Sequence, residues 1–117
     1  MSSQVKTLGF FSALSQPTRL DVTRLLVQAG QEGILAGEIA ARLKVRQNTM
    51  SANLAVLRRA GVVTTRREGR AIRYFANFAG IRQALSYFLE DCCGGDRGAC
   101  DPLLAKIGLA REGTLHG

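Results

Sequence analysis

The sequence predicts a mainly α domain of the winged helix-turn-helix type, with elements in the order α-α-α-α-β-β-α. Two short amphipathic stretches, joined by a tight turn, lie between Leu35 and Ala60. A β-branched hairpin pattern follows them at once, and positive charge is confined to the same part of the chain. Helix, turn and helix at this spacing make a helix-turn-helix, and a hairpin after the second helix makes a wing.

The elements read as follows. Val5–Leu14 has apolar residues at 5, 8, 10, 11 and 14, a broad helical stripe. Ser15, Gln16 and Pro17 stop that helix and start another, with Pro17 in the first turn and Ser15 as the expected cap. The second helix should run to about Ala29 and end at Gly30, with Leu20, Leu25, Leu26 and Val27 facing inward. Leu35, Ile39 and Leu43 signal a third helix, with Ala36 and Ala40 beside them, and Lys44–Val45 is a tight connection. A fourth helix spans about Gln47–Ala60, with Met50, Leu54 and Leu57 on its core side and Gly61 ending it. Val62–Arg67 and Ala71–Ala76 read as strands, the second alternating through Ile72, Tyr74 and Ala76, around a turn at Glu68-Gly69-Arg70. A last helix over about Phe78–Asp91 has Ile81, Leu85, Phe88 and Leu89 on one face, and Gly94–Gly95 stops it.

The chain of 117 residues and 12.6 kDa suits one core. With 46% apolar residues it should fold. No apolar run reaches the roughly 18 residues that cross a bilayer. The first residues lack a convincing cleavage signal, so the expectation is a cytoplasmic protein with no membrane partner. Net charge is +7, and its placement says more than its size. Residues 42–73 hold nine of the sixteen Lys and Arg, namely Arg42, Lys44, Arg46, Arg58, Arg59, Arg66, Arg67, Arg70 and Arg73. They face one acid, Glu68, while the rest of the chain is close to neutral. A field this localised suits a polyanion.

The chemistry of the fourth helix makes double-stranded DNA the expected polyanion. Its start offers Arg46, Gln47, Asn48, Thr49, Ser51 and Asn53, and small Ala52 permits close approach. Only side chains facing the major groove can query base edges; Gln and Asn suit bidentate contact with adenine, and Thr can touch a thymine methyl. Arg66, Arg67, Arg70 and Arg73 on the hairpin would hold phosphates or enter a minor groove. RNA fits less well, because no sheet presents an aromatic stacking platform.

Several strings together resemble the ArsR/SmtB family of bacterial metalloregulators. They are Leu14-Ser15-Gln16-Pro17-Thr18-Arg19-Leu20, Glu38-Ile39-Ala40 with Leu43, Gln47 through Leu54, Leu57 through Val63, and Arg67-Glu68-Gly69-Arg70 with Tyr74. The resemblance covers residues 8 to about 90. It implies a homodimer packed through the first and last helices. It also implies repression by operator binding, relieved when a metal or metalloid binds. Two positions depart from the family pattern: Arg46 stands where a Ser or Thr cap is usual, and Ala52 where a longer side chain often reaches DNA.

The family's usual sensing sites have no counterpart in the sequence. An arsenic site would place cysteines at the start of the third helix, but Gly33-Ile34-Leu35-Ala36-Gly37-Glu38 has no thiol. A zinc site on the last helix would need Asp/Glu and His pairs, and the one histidine is His116. What remains is Cys92, Cys93 and Cys100, which resemble the C-terminal three-cysteine arrangement of some arsenite-responsive members. An odd, clustered set of thiols argues against a disulfide framework, and neighbours in sequence pair only under strain. Three thiolates suit As(III), with Sb(III) as a close analogue; arsenite keeps its lone pair and needs no fourth ligand, whereas structural zinc wants four.

This divides the chain into a DNA-binding and dimerisation domain, 1–91, and a metalloid-binding tail, 92–117. Two rivals stay open. One is a winged-helix repressor answering to thiol oxidation or to another soft metal such as antimony or cadmium. The other is a thiol-dependent enzyme such as an arsenate reductase. Its mark would be five residues between Cys and Arg, but four separate Cys92 from Arg97 and three separate Cys93 from it.

Overall fold

The computed structural model describes residues 3–89. Five helices and a small sheet follow in the order α1 (Ser3–Leu14), α2 (Pro17–Ala29), a 3-10 turn (Gly30–Glu32), β1 (Ile34–Leu35), α3 (Ala36–Leu43), α4 (Gln47–Arg59), β2 (Val63–Glu68), β3 (Ala71–Ala76) and α5 (Phe78–Leu89). This is a mainly α winged helix-turn-helix, with β2 and β3 as the wing.

The core lies where the helices meet the sheet. Its largest fully buried side chains are Val22, Leu26, Ile34, Ile39, Met50, Leu54, Leu57 and Val62. Met50, Leu54 and Leu57 fall at helical spacing, so α4 presents one apolar face inward. Each such side chain contributes about 1.5–3 kcal/mol of burial. Between α3 and α4 the chain turns through Lys44, which takes a left-handed conformation at φ 57°. The Val45 amide donates back to the Ala40 carbonyl at 3.0 Å, closing a tight helix-turn-helix connection.

Three expectations from the sequence need correction. The first concerns the cap of α2. Gln16 caps it, its Oε1 accepting from the Arg19 amide at 2.8 Å, while the Ser15 hydroxyl donates backward to the Ser12 carbonyl and helps end α1. The second concerns α2 itself, where Leu20 and Val27 are exposed. The helix buries Val22 and Leu26, and at 100° per residue Leu20 and Val27 project from the opposite side.

The third is Leu35, expected to open the third helix, which instead forms with Ile34 the short strand β1. Ile34 and Leu35 pair antiparallel with Tyr74 and Arg73, giving a sheet of order β1-β3-β2. Gly33 permits this approach. Its φ is 62°, and an added Cβ would sit 2.6 Å from the Phe75 ring and the Tyr74 carbonyl.

The buried residue of α5 is Ala84, and Phe88 on its apolar face is 71% exposed. Val5 and Leu8 of α1 are exposed too, and the Phe11 and Phe88 rings meet edge to face at 6.1 Å. A contiguous apolar surface therefore remains on α1 and α5. Cys92, Cys93, Cys100 and the proposed tail 92–117 lie outside the described residues.

Candidate nucleic-acid interface

The exposed face of α4 is what remains after its core side chains are committed. Burying Met50, Leu54 and Leu57 leaves Gln47, Asn48, Thr49, Ser51 and Ala52 exposed, with Arg46 exposed just ahead of them. Asn48 turns its Oδ1 onto the Thr49 amide at 2.8 Å, so one free N–H of the first turn is satisfied and the side-chain NH2 stays available. Arg46 sits at the cap position in an extended conformation and gives no side-chain cap. Arg58 and Arg59 fall in the last turn, where cations complement the helix dipole whether or not they touch DNA.

Asn53 does not belong to this face. Sequence reasoning counted it among the DNA contacts, but it is only 8% exposed and both ends of its amide are occupied. Its Nδ2 donates to the Thr49 carbonyl at 3.2 Å, and its Oδ1 accepts from Arg19 Nη1 at 3.2 Å. Arg19 is the residue that the sequence reading missed. Its position in the string Pro17-Thr18-Arg19 was visible, but nothing in one sequence tells which helix a guanidinium will reach.

The wing divides its arginines into two pairs. Arg66 on β2 stands directly opposite Arg73 on β3, a repulsive cross-strand placement. Glu68, two residues along β2 from Arg66, relieves it. Its Oε2 accepts from Arg66 Nη2 at 2.6 Å and from Arg73 Nε at 2.8 Å. The hydrogen bond from Arg73, then that from Arg66, hold the Glu68 carboxyl below its ordinary range. Arg73 is further tied by Nη1 to the Glu32 carbonyl at 3.1 Å, and its side chain is 25% exposed. Arg66 lies over the Phe75 ring at 5.2 Å. Arg67 and Arg70 flank the Gly69 turn, exposed and without an ion pair or hydrogen bond among the described residues. The wing thus offers two uncommitted guanidinium groups on a hairpin braced by two committed ones.

These features agree with the comparisons to known proteins. A family model described as a helix-turn-helix domain matches residues 14–66, from the end of α1 into β2. The nodulation protein NolR of Rhizobium meliloti is 32% identical over 100 residues, covering 84% of this chain and 79% of that protein. The chain belongs to the ArsR/SmtB family of helix-turn-helix transcriptional regulators. Among other relatives, the biofilm growth-associated repressor of Agrobacterium fabrum is 46% identical over 61 residues, 52% of this chain and half the length of that protein. An ArsR-like transcriptional regulator from Rhodococcus sp. RHA1 superposes with a TM-score of 0.67 at 28% identity, covering 92% of this chain and 93% of that one. A homodimeric winged helix-turn-helix DNA-binding domain from Mycobacterium bovis, a possible ArsR-family regulator, superposes with a TM-score of 0.61 at 28% identity. It covers 75% of this chain and 81% of that one.

In this winged helix-turn-helix, α4 is the second helix of the motif and β2–β3 is the wing. Among the described residues no group of three or more His, Cys, Asp or Glu side chains could hold a metal ion. None of their helices is long and apolar enough to cross a membrane.

Proposed function

We propose that this protein is a cytoplasmic repressor that binds operator DNA as a homodimer and lets go when As(III) binds its cysteines. The observation that carries the DNA half is the division of labour between α4 and the wing. A neutral face of donors and acceptors lies on a helix anchored by its apolar side, and two uncommitted arginines lie on a braced hairpin. Homodimerisation is supported by the apolar surface of α1 and α5, where Val5, Leu8 and Phe88 are exposed on a monomer. The homodimeric relative from Mycobacterium bovis supports it too.

The inducer half rests on residue chemistry. All three cysteines fall between 92 and 100, beginning three residues after Leu89, the last described residue. Arsenite can exchange its hydroxides for the Cys92, Cys93 and Cys100 thiolates, each hydroxide leaving as water with a thiol proton. Soft sulfur prefers this soft centre, and Sb(III) should behave alike. Coupling to DNA requires that the metalloid bind the DNA-free state more tightly.

The test is a titration of arsenite against operator-bound wild type and each Cys→Ser variant, with thiol reductant present. Wild type should be released and each variant should resist, while basal DNA binding survives because the thiols lie outside residues 42–73. Release of the triple variant at wild-type arsenite concentrations would sink the inducer assignment. Release by peroxide in place of arsenite, reversed by reductant, would favour an oxidation switch.

A further inference from the structure

Recognition needs α4 to hold one rotation about its own axis. Apolar burial of Met50, Leu54 and Leu57 attaches the helix to the core, but such burial is non-directional. A rotation of about 20° would move side-chain tips on a helix of this diameter by about 2 Å. That exceeds the tolerance of a hydrogen bond to a base edge. A directional contact on the buried side is therefore expected, and Asn53, next to Leu54, is the buried polar side chain of α4.

Its partner is unusually well fixed. The Arg19 amide donates to the Gln16 side chain, and its carbonyl accepts from the Thr23 hydroxyl at 2.9 Å, so the backbone is held on both sides. From there the guanidinium spans two helices. Nε donates to the Ala13 carbonyl at 2.6 Å, in the last turn of α1, and Nη1 donates to Asn53 Oδ1 at 3.2 Å. One planar group thus joins the end of α1, the first turn of α2 and the middle of α4. Charge-assisted bonds of this kind are stronger than neutral ones.

We infer that Arg19 and Asn53 form a bracket that sets the rotation of the recognition helix against α1, making both positioning residues for operator recognition and neither a DNA contact. The inference rests on the operator-binding reading and adds to it. Because α1 also carries exposed apolar surface, the bracket ties the recognition helix to the helix that the dimer reading places at the subunit contact.

Two measurements test it on the full chain. The first is amide hydrogen exchange without DNA, on wild type and Arg19→Ala. Exchange should quicken in the first turns of α4 and the last turn of α1, with α5 and the β2–β3 sheet unchanged. Uniform acceleration, or none, would overturn the bracket. The second compares affinity for a duplex selected by the wild type from a random-sequence pool with affinity for calf-thymus DNA. Arg19→Ala should lose about tenfold on the selected duplex, the scale of one lost base contact. Its affinity for calf-thymus DNA and its salt slope should stay unchanged.

Arg19→Lys keeps the charge but not the fork, and should fail to rescue. Rescue by Lys, or a flattened salt slope in Arg19→Ala, would mean that Arg19 meets phosphate and would overturn the proposal. Asn53→Ala should match Arg19→Ala, and the double variant should be no worse than either; additive losses would show that the two act separately. Should the wild type select no sequence at all, the operator reading fails, and the exchange measurement still decides the bracket.

Discussion

The recognition helix and the wing both face solvent with polar side chains, yet they are built from opposite chemistry. On α4 the exposed residues Gln47, Asn48, Thr49 and Ser51 are neutral and can both donate and accept. On the wing, Arg66, Arg67 and Arg70 can only donate, and each carries full charge. Neutral amides and hydroxyls discriminate between base edges, whereas guanidinium groups answer to a phosphate on any sequence. The nearby backbone matches this contrast. Directional contacts at Asn53 hold α4, while on the wing Glu68 sits between Arg66 and Arg73 and offsets their repulsion. On the proposed function, specificity and grip should therefore be separable by substitution.

The largest effect should come from the helix. Asn48→Ala or Ser51→Ala should weaken binding to a selected operator by about 1–3 kcal/mol per lost base contact. Binding to random duplex should hardly change. Competition between the two duplexes measures both at once; equal losses on both would mean that α4 grips and does not read.

Next in size is the wing. Arg67→Ala and Arg70→Ala should weaken binding to all sequences, each flattening the dependence of log affinity on log salt by about one unit. An altered base preference at unchanged affinity would remove these residues from the phosphate contacts.

The smallest effect concerns Glu68. Replacing it with Gln removes the negative charge that pairs Arg66 and Arg73, so random-duplex affinity should rise a few-fold, about the scale of an exposed ion pair. Glu68 also has a pH signature. Its carboxyl is held low by Arg73 and then Arg66, so its share of fold stability is present above the ordinary carboxylate range. That share is lost as pH falls through the lowered value. Acid unfolding profiles of wild type and Glu68→Gln should therefore converge at low pH; parallel profiles would mean that the ion pairs are not felt.

Much of this arrangement was legible in the sequence, for physical reasons that differ by element. The core of α4 was readable because Met50, Leu54 and Leu57 recur at helical spacing with small or polar residues between them. The wing was readable because Gly69, flanked by Glu68 and Arg70, separates a β-branched run at residues 62–65 from the alternating Ile72, Tyr74 and Ala76. Strand β1 was not readable, since two residues cannot show an alternation. The inward face of α2 was ambiguous because Leu20 and Val27 are as apolar as Val22 and Leu26. Only the position of the neighbouring elements decides between them. The apolar face of α5 carries a related ambiguity: an apolar side chain in a helix is the same letter whether it meets its own core or another subunit. Asn53 misled because a buried polar residue on a recognition helix has the composition of a base contact. Its true partner, Arg19, lies 34 residues away in sequence.

The most direct test of the central claim is a hydroxyl-radical footprint of the wild-type protein on its selected operator. Two recognition helices related by a two-fold axis should protect two half-sites about one helical turn, or a whole multiple of it, apart. Each half-site should show backbone protection bordering the major groove that α4 enters, with further protection from the wing at its flank. The selected sequence should be an imperfect inverted repeat. A single asymmetric patch, or protection that tracks no groove periodicity, would contradict the account of a dimer reading with α4 and holding with the wing.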